Sequence, residues 1–181
     1  NYFIETYGCQ MNVHDSEKLA GMLVQMGYKQ TDIKADADII ILNTCCVREN
    51  AELRVYGNLG FLKAYKDANP DIIIAVCGCM MQETEVVENI KRRFKFVDIV
   101  FGSHNTHVLP QLLYKALSER APVFDVWENE ESIVEDVPIK RDSTFKAICE
   151  CIESRRFFDT YYRMPDIVAK IIEESWNDSE E

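Results

Sequence analysis

No stretch of this 181-residue sequence is apolar over a membrane's width, and no signal peptide stands at its start. Both absences point away from a membrane-spanning or secreted protein. Positive charge is in deficit: 20 Lys and Arg against 31 Asp and Glu leave a net charge of −11. A nucleic-acid binder needs a concentrated basic face. Here only Lys91-Arg92-Arg93 with Lys95, and Lys140-Arg141, form small basic clusters, and these read as a solvated helix end and a linker. Histidine is scarce. His14, His104 and His107 are read as loop or helix-start residues, and they make a weak case for a metal site. Cysteine, by contrast, is plentiful. Seven is an odd number, and together with the missing signal it favours a reducing cytoplasm and thiols used for metal binding or catalysis over disulfide pairing.

The 47% hydrophobic share suffices for a core, and the length suits one ordinary domain with an appendage. Strand and helix patterns alternate up to about residue 120. Tyr2–Tyr7, Asp38–Leu42, Asp71–Val76 and Val97–Phe101 read as strands. Helices are expected over about Asp15–Met26, Val47–Ala68, Gln82–Arg93 and Thr106–Ser118. The first carries a buried stripe of Leu19, Met22, Leu23 and Met26, and Gly27 ends it. The last carries Val108, Leu109, Leu112, Leu113, Ala116 and Leu117 on its core side. Repeated strand-then-helix units imply an α/β fold, a flavodoxin-like parallel sheet with helices on both faces. The expected organisation is this domain over 1–120, a linker over 121–147 and a helical tail over 148–181.

Three cysteines stand just after expected strands, each in its own phrase: Gly8-Cys9-Gln10-Met11-Asn12, Asn43-Thr44-Cys45, and Cys77-Gly78-Cys79-Met80. The intervals of 35 and 33 residues suit no compact zinc finger. They suit three strand-to-helix turns, which in an open parallel sheet lie at the carboxyl ends where ligands bind. Core cysteines would instead fall within strands or on helix stripes. Three thiolates on one rim make an incomplete ligand set, of the kind that holds an iron–sulfur cluster while freeing one iron. Gly8 and Gly78 would let the backbone approach a bulky inorganic group. Cys46 is expected to point the other way, into the first turn of a helix, and Cys77 to be a small buried strand residue, although Cys77-x-Cys79 has a chelating spacing.

Thr6-Tyr7-Gly8-Cys9-Gln10-Met11-Asn12 with Asp15-Ser16-Glu17, Asn43-Thr44-Cys45 with Val47-Arg48-Glu49-Asn50-Ala51, and Gly78-Cys79-Met80 with Gln82-Glu83 together resemble the three opening motifs of the radical S-adenosylmethionine methylthiotransferases. The Val-Arg-Glu form resembles the branch acting on tRNA that bears an isopentenylated adenosine. The resemblance runs from Asn1 to about Ala147. It implies an auxiliary [4Fe–4S] cluster held by Cys9, Cys45 and Cys79, with Asn12, Asn43, Arg48 and Gln82 near the cluster or substrate; helix N-capping is an equally good account of Asn12. It further implies a radical domain that uses S-adenosylmethionine and a second [4Fe–4S] cluster, and a methylthio group added to C2 of an adenosine beside the anticodon. The partner it implies is a tRNA anticodon stem-loop, bound weakly by this chain alone; the oligomeric state it leaves as a monomer by default.

The sequence departs from that family after Lys146. No Cys-x-x-x-Cys-x-x-Cys occurs, so the motif of the radical domain is missing, as is the TRAM domain, and the isolated chain is expected to be inactive. Residues 148–181 hold four basic and nine acidic side chains, −5 of the total charge. Ile148, Ile152 and Arg155-Arg156 loosely resemble the start of a flavin nitroreductase. Two other readings therefore stand beside the methylthiotransferase: a cluster-free flavodoxin-like interaction module, and a flavin-dependent nitroreductase fragment.

Overall fold

A computed structural model of the protein describes residues 1–46, 51–127 and 138–140. They belong to one compact unit, Asn1–Lys140. The tail, with Cys149 and Cys151, lies outside the described residues, as does most of the segment expected to be a linker.

Five parallel strands form the sheet: β1 Tyr2–Tyr7, β2 Ile39–Thr44, β3 Ile73–Cys77, β4 Ile99–Phe101 and β5 Val123–Asp125, in the spatial order β1-β2-β3-β4-β5. The helices are α1 Gln10–Gln25, α2 Ala51–Ala68, α3 Thr84–Arg93 and α4 Leu109–Glu119. Strands buried on both faces read as unbroken apolar runs, and β2 and β3 are buried at every position. Successive side chains then divide between two cores. Ile40, Leu42, Ile74, Val76 and Val100 meet α2 and α3 through Val55, Leu59, Leu62, Val86 and Ile90. Ile39, Ile41, Ile73, Ala75, Ile99 and Phe101 meet α1 and α4 through Leu19, Leu23, Leu109, Leu112 and Leu113. This is the α/β sheet with helices on both faces that the sequence implies.

The order of the strands positions the site. After α1 the chain makes a parallel bridge from Gln30 to Tyr2, with Tyr2 N donating to Lys29 O at 2.8 Å and Thr31 N to Tyr2 O at 2.9 Å. The chain therefore passes first along the outer side of β1 and only then returns to form β2 on its inner side. That reversal is the topological switch of a flavodoxin-like sheet. With α1 on one face and α2 on the other, the turns after β1 and β2 diverge, and the crevice between them is where open α/β sheets bind ligands.

Several elements differ from the expectation. α1 begins at Gln10, five residues early, with extended Cys9 as its N-cap residue; His14 is thus inside the helix and buried, not at its start. Because α1 ends at Gln25, Met26 falls off the buried stripe and is 40% exposed; Leu117 of α4 is likewise turned outward at 50%. Between Cys79 and Gln82 the chain makes a 3₁₀ turn before α3 starts at Thr84. The sheet also gains β5, a strand at Val123–Asp125 that pairs in register with β4. Residues 138–140 lie against α1, where Lys140 N donates to Glu17 O at 3.0 Å. Gly21 makes room there, since a side chain would overlap the Pro138 carbonyl.

Candidate metal centre at the carboxyl ends of the first three strands

Cys9, Cys45 and Cys79 each follow the carboxyl end of a strand, and the three strands are neighbours. Tyr7 pairs with Thr44, and Asn43 with Cys77. Cys9 is exposed, Cys45 is buried and Cys79 is half-buried. Among the described residues no three Cys, His, Asp or Glu side chains form a ready-made metal-holding group. The topology brings the three thiols to one rim without arranging them around a common point.

What holds the rim together is a set of neutral side-chain bonds. Asn12, in the first turn of α1, donates from Nδ2 to Asn43 Oδ1 at 3.0 Å and to Thr44 O at 3.2 Å. Asn43, at the end of β2, donates from Nδ2 to Asn12 O at 2.8 Å and to Ser16 Oγ at 2.9 Å. Both side chains are buried, at 2% and 0% exposure. Asn12 is therefore not an N-cap; it clasps the turn after β1 to the turn after β2. The Cys9 thiol reaches the same amide, donating to Asn12 Oδ1 at 3.4 Å. A second clasp joins β2 to β3, with Thr44 Oγ1 donating to Cys77 O at 2.8 Å. Every polar atom bonded in this way avoids the cost of burial without a partner.

Two glycines are required by this packing. A Cβ on Gly8 would overlap Asn12 Oδ1 and the Cβ of Cys45, so Cys45 lies directly beneath the turn that carries Cys9. Gly78 has φ of 101°, a left-handed conformation, and a Cβ there would overlap the carbonyl of Thr44. Both glycines let the three turns pack against one another at the rim.

The Cys79 sulfur lies between two groups of the neighbouring turn. It accepts a hydrogen bond from Cys46 N at 3.2 Å and lies 3.7 Å from Thr44 O. Burial, and the nearby Cys46 and Cys45 thiols, push the Cys79 thiol up to about 12 from its ordinary 9.0, against a lowering by the Cys46 amide. A sulfur that accepts a backbone N–H and is surrounded by other thiols has the donor chemistry of a cluster ligand. Cys46 is exposed, and it meets Cys79 through its backbone N–H. Cys77 is buried in β3 on the α1 face, as expected, and full burial pushes its thiol well up.

Of the other residues singled out in the sequence, Gln82 follows the third turn. Its amide packs over Gly102, whose missing side chain admits it, and its Nε2 is buried without a hydrogen-bond partner. Gln82 also lines a cleft of about 470 Å³ with Met81, Thr84, Val87, Lys91 and His104. His107 packs edge-on against Trp127. Arg48 lies outside the described residues.

Fold and rim together define a doubly wound α/β domain with thiols on three adjacent carboxyl-end turns. The chain belongs to the family described as "Uncharacterized protein family UPF0004", whose pattern matches residues 1–102. It is 54% identical over 164 residues to the tRNA-2-methylthio-N(6)-dimethylallyladenosine synthase of Clostridium tetani, and 52% identical over 164 residues to the proteins of that name from Acetivibrio thermocellus and Thermoanaerobacter sp.. These matches cover 91% of this chain and 34–36% of each relative, so the chain spans about a third of the length of the relatives it matches. The resemblance carried by the three cysteine motifs is thereby borne out.

Proposed function

We propose that this chain is the sulfur-donor domain of a tRNA methylthiotransferase, and that it holds an auxiliary [4Fe–4S] cluster through Cys9, Cys45 and Cys79. The observation that carries the reading is the placement of these three cysteines after three adjacent parallel strands, at the switch point of the sheet. When bound, a cluster held by three thiolates supplies one iron with an open position at which sulfur can bind. The chain's own residues do the positioning. Asn12 and Asn43 fix the first two turns relative to each other, Thr44 fixes the second to the third, and Gly8 and Gly78 let the three turns pack closely together. The amino end of α1, at Cys9, adds partial positive charge beside an anionic thiolate set. Gln82 and Arg48 are assigned to the surroundings of the cluster or substrate.

By the same reading the whole enzyme adds a methylthio group to C2 of isopentenyladenosine beside the anticodon. It takes S-adenosylmethionine and a second [4Fe–4S] cluster through segments other than this one. Its tRNA anticodon stem-loop is gripped mainly by those segments, in keeping with this chain's net charge of −11. The isolated chain is then inactive and monomeric. A cytoplasmic location fits, and among the described residues no helix is long and apolar enough to cross a membrane.

Anaerobic reconstitution with iron and sulfide tests the assignment. About four irons per chain, the content of one cluster, are expected for the native sequence, with loss in each of Cys9→Ala, Cys45→Ala and Cys79→Ala. Iron uptake indifferent to these three substitutions would instead leave a cluster-free interaction module.

A further inference from the structure

Four thiols gather at the rim, and the proposed cluster uses three. The fourth, Cys46, is exposed, and its backbone N–H points at the Cys79 sulfur from 3.2 Å. Three covalent bonds separate that nitrogen from the Cys46 sulfur, which keeps the two sulfurs within a few bond lengths of each other. The turns after β2 and β3 are neighbours, because Asn43 pairs with Cys77 at the ends of those strands. The other thiols of this region are differently placed. Cys45 is 1% exposed beneath Gly8, the Cys9 thiol is bonded to Asn12, and Cys77 is buried on the α1 face of the sheet.

We propose that Cys46 and Cys79 are a redox pair, joined as a disulfide by hydrogen peroxide and separated again by a small dithiol, so that the oxidised chain withholds Cys79 from metal. The exposed Cys46 sulfur attacks one peroxide oxygen; the O–O bond breaks, water leaves and Cys46 carries S–OH. The Cys79 sulfur then displaces that hydroxide, the S–S bond forms, and the Cys79 proton leaves with the hydroxide as a second water. Two electrons pass from the two sulfurs to peroxide, and a dithiol returns them by exchange. The pairing itself rests on the rim geometry alone; its consequence for metal rests on the proposed three-thiol site.

The experiment treats the reduced, metal-free chain with limiting peroxide, alkylates the remaining thiols and maps disulfides in a non-reducing tryptic digest. Cys45 and Cys46 fall in one peptide, as do Cys77 and Cys79, so fragmentation spectra assign the bond. The expected result is a Cys46–Cys79 link that dithiothreitol reverses, with loss of iron uptake in the oxidised chain and retention in peroxide-treated Cys46→Ser and Cys46→Ala. A link from Cys79 to Cys45 or Cys9 would overturn the proposal, as would Cys46 oxidised to the sulfinic acid with Cys79 free. If the link forms at Cys46–Cys79 while iron uptake by the reduced chain ignores Cys79, the redox pair stands and the cluster assignment falls.

Discussion

The two ends of the sheet are pinned in different ways. At the amino end the work falls to charge. Lys66 Nζ bonds both Asp98 oxygens at 2.9 and 2.8 Å and Ile72 O at 2.6 Å, while Asp98 also accepts from Ile74 N. At the carboxyl end of β1 to β3 the bonds are made by neutral amides and a hydroxyl, and both asparagines are fully enclosed. Charge tolerates loose geometry and exposure. A reciprocal pair of buried amides satisfies its donors and acceptors in one arrangement only, and so it specifies where the flanking turns lie. The end that carries the thiols is the end built for fixed position, and an incomplete metal site needs such support because no fourth ligand closes it.

Breaking the carboxyl end should therefore cost more than breaking the amino end. The largest effect is expected for Gly78→Val, which combines a left-handed backbone with overlap of the Thr44 carbonyl. A loss of about 3 kcal/mol or more in urea unfolding, with loss of iron uptake, is expected. Asn43→Ala comes next. It removes one of the two acceptors of the buried Asn12 amide and the donor to Asn12 O and Ser16 Oγ, at a cost of about 1–3 kcal/mol. Asn12→Ala should cost a similar amount, and the double variant less than the sum, because the bond from Asn12 Nδ2 to Asn43 Oδ1 is lost in both single variants. Additive losses would mean that the clasp is no unit.

How far the sequence alone reaches differs between these same two ends. The apolar runs of β2 and β3, the stripe of α4 and the three Gly–Cys or Thr–Cys turns are local patterns, and each found its place in the sheet. The bridge at Gln30 and the strand at Val123–Asp125 have no apolar run of their own. They exist because a neighbouring strand edge accepts their backbone, and that is information from elsewhere in the chain. Asn12 reads locally as a helix cap, but Asn43, 31 residues away in sequence, gives it a different task.

At the amino end, Lys66→Met removes the partner of a carboxylate that keeps one backbone donor, Ile74 N. Side-chain exposures of 16% and 23% for the pair moderate the loss to about 1–2 kcal/mol, with iron uptake retained. A loss as large as that of Gly78→Val would erase the contrast between the ends.

The smallest effect is one of pH. Burial foremost, and the adjacent thiols, hold the Cys79 proton up to about 12 from 9.0. In the unfolded chain that proton leaves near the ordinary value, so between about 9 and about 12 the folded state binds more protons than the unfolded. Stability from this group is thus fully present below about 9 and is lost as pH rises. Cys79 is half-exposed, which keeps the effect modest. Tyr56, raised to about 12 by burial and by Glu52, pulls in the same direction, as does the buried Cys77; the test must therefore be a difference. Urea midpoints of the reduced, metal-free chain and of Cys79→Ser, compared at pH 7.5 and pH 10, should show the native chain losing more of its midpoint than the variant. Equal losses would mean that Cys79 titrates as a solvent thiol, and that the turn after β3 stands further from the other thiols than its hydrogen bond to Cys46 requires.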